Sequence, residues 1–184
     1  MVAKPTLTNI CEVGLYSPDR DKLAAFYQNA LGLAIVGRGR TKADGVPVSV
    51  FLSTLPEEET HQIVIFARPE NQLFAFRVET LADLQAAYQH ILEQGLAIKW
   101  AFNHGISLAF YFADPAGNLI KIAWFTGLAY PQPHSHPIDL NQSEAVLRQD
   151  VADLVVQLKR AEGGNTEIID NEGIYRMEDD TSWP

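Results

Sequence analysis

Two pairs of side chains in this sequence have the composition and spacing of partial metal sites. His134 and His136 lie two residues apart in PQPHSHP, and an extended segment points such residues to the same side. Glu59 and His61 form the second pair, at the start of an apolar stretch. The first pair has no third donor nearby in sequence. We interpret the first pair as part of a solvated linker and keep the second as an alternative metal position.

The single cysteine excludes several classes of site. Cys11 has no partner for an internal disulfide, and zinc fingers and iron–sulfur clusters need several thiolates. No basic neighbour in sequence activates its thiol, so a small buried apolar residue is a better interpretation than a nucleophile. The segment GRGRTKADG lacks the GK[ST] ending of a phosphate-binding loop, so nucleotide chemistry is unsupported.

Composition limits the class of protein further. The chain has 184 residues, a net charge of −9 and 47% hydrophobic residues, which is typical of a folded globular protein. The negative charge repels phosphate backbones, so no nucleic-acid partner is expected. No apolar run approaches the length of a membrane span, and the first residues lack the apolar core of a secretory signal. We therefore expect a cytoplasmic protein with no membrane partner.

The acidic charge is concentrated at the C-terminus. Residues 161–184 hold seven acidic residues against Arg176, so this tail carries −6 of the net charge of −9. A solvated extension without a partner is the simpler interpretation. A peptide that docks on a protein partner through Ile174, Tyr175 and Trp183 is the alternative.

The first half of the chain reads as a strand, a helix and three further strands. Residues 10–16 have strand character, Ser17 is placed to cap a helix that begins at Pro18, and Gly32 ends the helical pattern. Three short apolar stretches follow, LAIVG, PVSVFLS and HQIVIFA.

The second half repeats this order. The strand LFAFRV precedes a helix from about Leu81 to Glu93, and AIKWAF, SLAFYFA and NLIKIAWF follow as strands. Shifting the first half onto the second by 61 residues pairs identical residues at five of twenty positions. The sequence therefore predicts two βαβββ modules in an α+β fold, residues 8–69 and 70–126.

Residues 127–160 combine a Pro-rich connector with an amphipathic helix. Asn141 and Glu144 have the spacing of a capping box that opens this helix. Its apolar positions form one stripe: Leu147, Val151, Leu154, Val155 and Leu158. The stripe must cover either the domain's own sheet or a partner, and we favour the sheet.

The two modules, together with VGLYSPDRDKLAAFYQNALGL and HGISLAFYFADPAGNLIKIAW, resemble the vicinal oxygen chelate superfamily of glyoxalases, bleomycin resistance proteins and extradiol dioxygenases. The resemblance covers about residues 8–126. Its most specific part is YFADPAGNLIKI, which is similar to the family's YxxDPxGNxIE pattern. The spacing of His104, Gly105, Ser107 and Tyr111 looks most like the small extradiol ring-cleavage dioxygenases.

That resemblance implies a pocket lined by the inner faces of both modules, with a ferrous ion at its centre. It places His104 and Tyr111 beside the substrate as candidate catalytic residues, a second-sphere imidazole and a phenol. The competing interpretation is structural, because His104 could serve a turn and Tyr111 could be an ordinary sheet aromatic.

The positions at which the family places its metal ligands carry the wrong side chains here. The resemblance matches them to Glu12, Leu73 and Lys121, with a fourth position at or near Val64. A non-haem iron of this type needs two imidazoles and a carboxylate. Leucine has no donor atom, and neutralising a lysine at pH 7 takes about 4.6 kcal/mol, at about 1.36 kcal/mol per pKa unit. We therefore expect a degenerate site with no metal cofactor.

Positions that share one metal in relatives converge in space, so the two charged residues should meet. We predict a Glu12–Lys121 salt bridge in place of the metal, against the alternative that both side chains are solvated. The predicted small-molecule pocket is lined by Glu12, Leu73, Phe76, His104, Tyr111 and Lys121. Phe76 is included because it shares a strand with Leu73, although odd spacing points it to the opposite face.

Three functions follow from these observations. The first is a metal-free protein that binds a small aromatic or planar ligand in the pocket, without catalysis. The second is an enzyme, either a ring-cleavage dioxygenase with relocated ligands or a cofactor-independent relative that uses His104 as a base. The third is a scaffold that binds a protein through the C-terminal helix and tail. The resemblance also leaves open a homodimer, because relatives often pair.

Overall fold

The first half of the chain folds in the predicted order. The computed structural model describes residues 4–40, 47–57, 61–128, 130 and 134–162. The elements of the first half are β1 (Asn9–Tyr16), α1 (Arg20–Leu31), β2 (Ala34–Arg40), β3 (Pro47–Ser53) and β4 (Ile63–Phe66). A single turn of 3₁₀ helix, Pro69–Asn71, leads into the second half.

The second half repeats these elements and adds two more. It contains β5 (Leu73–Val78), α2 (Leu81–Glu93), β6 (Ile98–Asn103), β7 (Ser107–Ala113) and β8 (Leu119–Phe125). The connector adds a short strand, β9 (His136–Pro137), and the C-terminal helix is α3 (Glu144–Glu162). This is the predicted α+β architecture. The acidic tail lies outside the described residues, except for the end of α3.

Two predicted helix caps are wrong, and in both cases a later residue does the capping. Asp19, not Ser17, accepts a hydrogen bond from the Lys22 N–H and begins α1, while the Ser17 hydroxyl accepts from the Asp19 N–H. At α3 the Val146 N–H donates to Ser143, two residues after the predicted cap at Asn141. A cap needs an oxygen aimed at the first free N–H groups, and sequence spacing alone did not select it.

All nine strands form one sheet, and its centre shows the internal repeat. The strand order is β2-β3-β4-β1-β5-β8-β7-β6-β9. In the antiparallel β1–β5 pair, Gly14 faces Leu73 and Glu12 faces Ala75. The repeat shift of 61 residues maps Gly14 onto position 75 and Glu12 onto position 73. The Gly14–Leu73 pair and the Glu12–Ala75 pair are therefore equivalent to each other in the repeat. The strands at the junction of the two halves therefore follow the same shift as the sequence.

The second half of the sheet has one face under helices and one face toward a cavity. Phe110 and Ile122 pack with α2 on the helix side. Leu147 and Val151 of α3 join that same core, so these two residues of the predicted apolar stripe cover the domain's own sheet, as expected, while the side chains of Val155 and Leu158 lie outside the described part of the structure. No helix in the described part of the chain is long and apolar enough to cross a membrane.

Candidate functional site

A cavity of about 150 Å³ lies on the face of the sheet opposite the helices. Strands of both halves line it, and so does the connector through His134 and Ser135. Its walls are mainly apolar and aromatic, with Phe51, Val64, Phe66, Leu73, Trp100 and Leu119 among them. An apolar cavity of this volume is the size that accepts a single benzene ring.

A buried ion pair lies in this cavity. Lys121 Nζ donates to Glu12 Oε2 at 2.8 Å, and the two side chains are 9% and 7% exposed. The pairing follows from register, because Ala75 faces both Glu12 on β1 and Lys121 on β8. The predicted salt bridge is confirmed, and its two members line the cavity.

Sequence reasoning missed a third member of this group. His61 Nε2 lies 3.3 Å from Glu12 Oε2, and the His61 side chain is also buried. We had paired His61 with Glu59, which lies outside the described residues. His61 precedes β4 and packs against the Phe51 ring at 4.8 Å between centroids. Only the fold could show this contact, since Glu12 and His61 are 49 residues apart in sequence and meet through the pairing of β1 with β4.

Charge pairing outweighs burial in setting the protonation of the two buried groups. Burial alone would raise the pKa of the Glu12 carboxyl, but Lys121, followed by His61, holds that pKa well below its usual range. Burial would likewise lower the pKa of the Lys121 ammonium, and Glu12 raises it above its usual range instead. Both groups are therefore charged at neutral pH.

The two candidate catalytic residues are bonded to each other. His104 Nδ1 lies 2.6 Å from the His134 carbonyl oxygen, and Nε2 lies 2.9 Å from the Tyr111 hydroxyl. A carbonyl can only accept, so Nδ1 carries the proton and Nε2 accepts from the Tyr111 O–H. Burial lowers the pKa of His104 to about 3 and raises that of Tyr111 to about 12. Both side chains are therefore neutral across the physiological range.

The cavity contains the four positions that the resemblance matched to metal ligands. Glu12, Leu73 and Lys121 line it together with Val64. Register supports Val64 as the counterpart of Lys121, because Val64 pairs with Gly14 as Lys121 pairs with Ala75. Glu12 from the first half and Lys121 from the second half form a polar pair, and Val64 and Leu73 are the corresponding apolar residues.

Phe76 is a correction to the predicted pocket. The cavity is lined by Leu73 from β5 but not by Phe76. Side chains alternate along a strand, and Phe76 shares the parity of Val78, which packs in the helix-side core. The odd spacing from Leu73 correctly indicated that Phe76 faces away from the cavity, and the prediction that Phe76 lines the pocket is wrong.

The interpretation of His134 as part of a solvated linker is also wrong. His134 is partly buried, lines the cavity and packs against Tyr130, with ring centroids 4.7 Å apart and the ring planes tilted by 54°. His136 is exposed on β9, which pairs with β6. His134 and Ser135 of the connector thus contribute to the cavity wall, which sequence patterns within the connector could not indicate.

Gly105 is required for the connector to pack in this way. It has φ 75°, and a Cβ at this position would lie 2.3 Å from Cγ of Tyr130. We expect Gly105→Ala to lower the free energy of unfolding by about 1–2 kcal/mol through backbone strain and by a further 1–3 kcal/mol through overpacking. Gly95→Ala is the control, because Gly95 has φ 76° with no atom within 4 Å of the added carbon. Equal losses in urea unfolding would contradict the Tyr130 contact.

We expect stability to be nearly flat between about pH 6.5 and 9 and to fall on either side. Below pH 6.5 the unfolded chain protonates His104 and His134, whose folded pKa values burial lowers to about 3 and about 4, so acid favours unfolding by up to about 1.4 kcal/mol per pH unit for each of them. Above pH 9 the unfolded chain releases the Cys11 proton first, because burial raises the folded pKa to about 11. Urea unfolding measured across pH tests both dependences. His104→Gln should remove about 1.4 kcal/mol per pH unit from the slope below pH 6.5 and leave the part due to His134, and an unchanged slope would contradict the assignment.

The residues present do not fit the metal of the family. Among the described residues, no group of three or more His, Cys, Asp or Glu side chains could hold an ion. Glu12 and His61 supply two donors, and the ammonium of Lys121 lies against the same carboxylate. A cation there would face a fixed positive charge and lack ligands from Leu73 and Val64.

The described residues form one sheet from two repeated halves, with a cavity on one face of that sheet. The sequence matches the glyoxalase/bleomycin resistance protein/dioxygenase superfamily over residues 9–122, and this chain belongs to that superfamily.

A curated relative is biphenyl-2,3-diol 1,2-dioxygenase 3 from Rhodococcus globerulus. It is 28% identical over 88 residues, which cover 41% of this chain and 45% of the relative. The chain therefore spans less than half the length of this relative.

Solved structures of dioxygenases and of a glyoxalase share the fold. The 2,3-dioxygenase LapB from Pseudomonas sp. KL28 has a TM-score of 0.56 at 20% identity, covering 71% of this chain and 46% of that one. Homoprotocatechuate 2,3-dioxygenase from Brevibacterium fuscum has a TM-score of 0.55 at 20% identity, with coverage of 82% and 38%. The Mn(II)-bound glyoxalase from Novosphingobium aromaticivorans has a TM-score of 0.53 at 21% identity, with coverage of 65% and 40%.

Proposed function

We propose that this chain binds a small, ring-sized molecule in its central cavity, without a metal ion and without catalysing a reaction of that molecule. The observation that carries this proposal is the Glu12–Lys121 ion pair, which lies at two of the positions matched to metal ligands. The relatives named above include a biphenyl-2,3-diol dioxygenase and a homoprotocatechuate dioxygenase, whose names refer to aromatic molecules.

The cavity has the features of a binding site independent of any metal. Its walls are mainly apolar, and a few polar groups converge inside it, among them Lys121, Tyr111 and Ser107. In this proposal His104 and Tyr111 position the ligand, and they perform no proton transfer.

The alternatives receive less support from the contacts. A base needs a free lone pair and a pKa near the working pH, whereas both ring nitrogens of His104 are engaged and burial lowers its pKa to about 3. A relocated metal site at His61 would compete with Lys121 for Glu12. A scaffold that uses the apolar stripe of α3 would have to expose Leu147 and Val151, which are buried in the domain core.

Elemental analysis tests the proposal directly. Protein purified without chelator should contain far less than one equivalent of iron, manganese, nickel or zinc, and it should consume no O₂ with catechol, with an extradiol dioxygenase as the positive control. Added Fe²⁺ should not change either result. One equivalent of a metal that is lost in the Glu12→Gln variant, or O₂ uptake with catechol, would overturn the proposal.

A further inference from the structure

The charges that line the cavity point to the charge of its ligand. Among the described residues, the charged lining side chains, apart from histidines, are Glu12, Lys121, Arg68 and Glu70. Glu12 and Lys121 are paired inside, while Arg68 and Glu70 are exposed at the mouth. These four charges cancel.

A charged ligand gains little from such a lining. A carboxylate that approached Lys121 would also approach Glu12, because the two head groups are only 2.8 Å apart. Attraction to one would be offset by repulsion from the other, while the loss of hydration would remain. A ligand ammonium near Glu12 would face Lys121 in the same way.

A neutral oxygen suits the interior groups better. An ammonium has three N–H donors, of which Glu12 takes one and the Tyr111 hydroxyl lies within reach of a second, so Lys121 retains one donor for a ligand oxygen. Tyr111 donates its proton to His104, and its oxygen retains one lone pair beside the one that faces Lys121. A hydroxyl could accept from Lys121 and donate to Tyr111, whereas a carbonyl could only accept.

The volume and the aromatic wall of the cavity indicate the size and shape of the ligand apart from its oxygen. The cavity of about 150 Å³ fits one aromatic ring. Trp100 and Tyr111 line it in an edge-to-face pair, with ring centroids 6.1 Å apart, and the Lys121 ammonium lies 6.0 Å from the Tyr111 ring centroid. An oxygen that reaches Lys121 therefore belongs to a ligand whose ring lies along this aromatic wall.

We propose that the cavity selects an uncharged, single-ring molecule that carries a hydroxyl or carbonyl oxygen, and discriminates against aromatic carboxylates and aromatic ammonium ions of the same size. This inference rests on the proposed function, and it adds the chemical class of the ligand.

Calorimetric titration with three probes tests this selectivity at pH about 8, where phenol is neutral, benzoate is an anion and benzylammonium is a cation. Phenol should bind at least about tenfold more tightly than either ion, a difference of about 1.4 kcal/mol. Benzoate or benzylammonium binding as tightly as phenol would overturn the selectivity, while leaving a ring-binding cavity in place. Failure of all three probes, and of benzene, to bind would overturn the proposed function itself.

A charge-removal variant provides the second arm. Glu12→Gln leaves Lys121 as an uncompensated cation, so the ratio of benzoate affinity to phenol affinity should rise at least about tenfold. Glu79→Gln makes the same change in net charge outside the cavity lining and should leave the ratio unchanged. An unchanged ratio in Glu12→Gln would contradict the proposal. If that variant does not fold, the three-probe comparison on the unaltered protein still decides.

Discussion

Replacing Lys121 with methionine is expected to lower the free energy of unfolding by about 3–5 kcal/mol. Methionine keeps most of the volume of the lysine chain but leaves the Glu12 carboxylate buried, with His61 as its remaining ion-pair partner among the residues that the structure describes. Breaking one side of a buried pair is costly because the remaining charge is uncompensated. Urea unfolding near neutral pH measures the loss.

Two further variants separate this charge effect from a packing effect. Lys22→Met alters an exposed lysine on α1 and should change stability by no more than about 0.5 kcal/mol. Adding Glu12→Gln to Lys121→Met removes the unpaired charge, so the double variant should regain about 2 kcal/mol or more. No recovery in the double variant would mean that Lys121 stabilises the fold through contacts of its aliphatic chain alone.

The second large effect is the restoration of a metal site. Combining Leu73→His with Lys121→Glu should raise the affinity for Mn²⁺ or Zn²⁺ by at least about a hundredfold, or about 2.8 kcal/mol. The variant retains Glu12 and His61, and it would place two imidazoles and two carboxylates around one cavity. It also removes the ammonium that opposes a cation. Equilibrium titration and elemental analysis after dialysis measure the gain.

The control for this experiment uses the alternation of a strand. Phe74→His with Lys121→Glu introduces the same two side chains as the test variant. Phe74, however, is 47% exposed and lies on the same face of β5 as the helix-side residue Val78. It should bind the metal no better than Lys121→Glu alone. Equal affinity in the two double variants would show that position 73 does not face the other ligands.

Most of the fold could be predicted because its signals are local. The strands β3, β5 and β7 and the helix α2 have the predicted limits, since apolar periodicity and flanking turn residues define each of them. The caps of α1 and α3 were misplaced, because several Ser, Asp and Asn residues precede each helix and the one that caps is set by backbone geometry.

The site could be predicted only at the positions that the family resemblance matched to metal ligands. Glu12 and Lys121 were expected to meet because the resemblance matched both of them to ligands of one metal ion. His61 and His134 lie outside regular strands, so nothing in the local pattern showed that they enter the cavity. The error at Phe76 has a different origin, since the alternation of strand side chains already excluded it.

The equivalence of the two halves limits how this ion pair could arise. Glu12 corresponds to Leu73 through the repeat, and Lys121 corresponds to Val64 through the strand register. If one module formed the sheet as a symmetric homodimer, each substitution would occur twice, and two carboxylates and two ammonium groups would share one apolar cavity. Joining the modules in one polypeptide lets each half diverge independently, so a single ion pair can be buried beside an aliphatic surface. Gene duplication and fusion would thus be a precondition for this asymmetric interior.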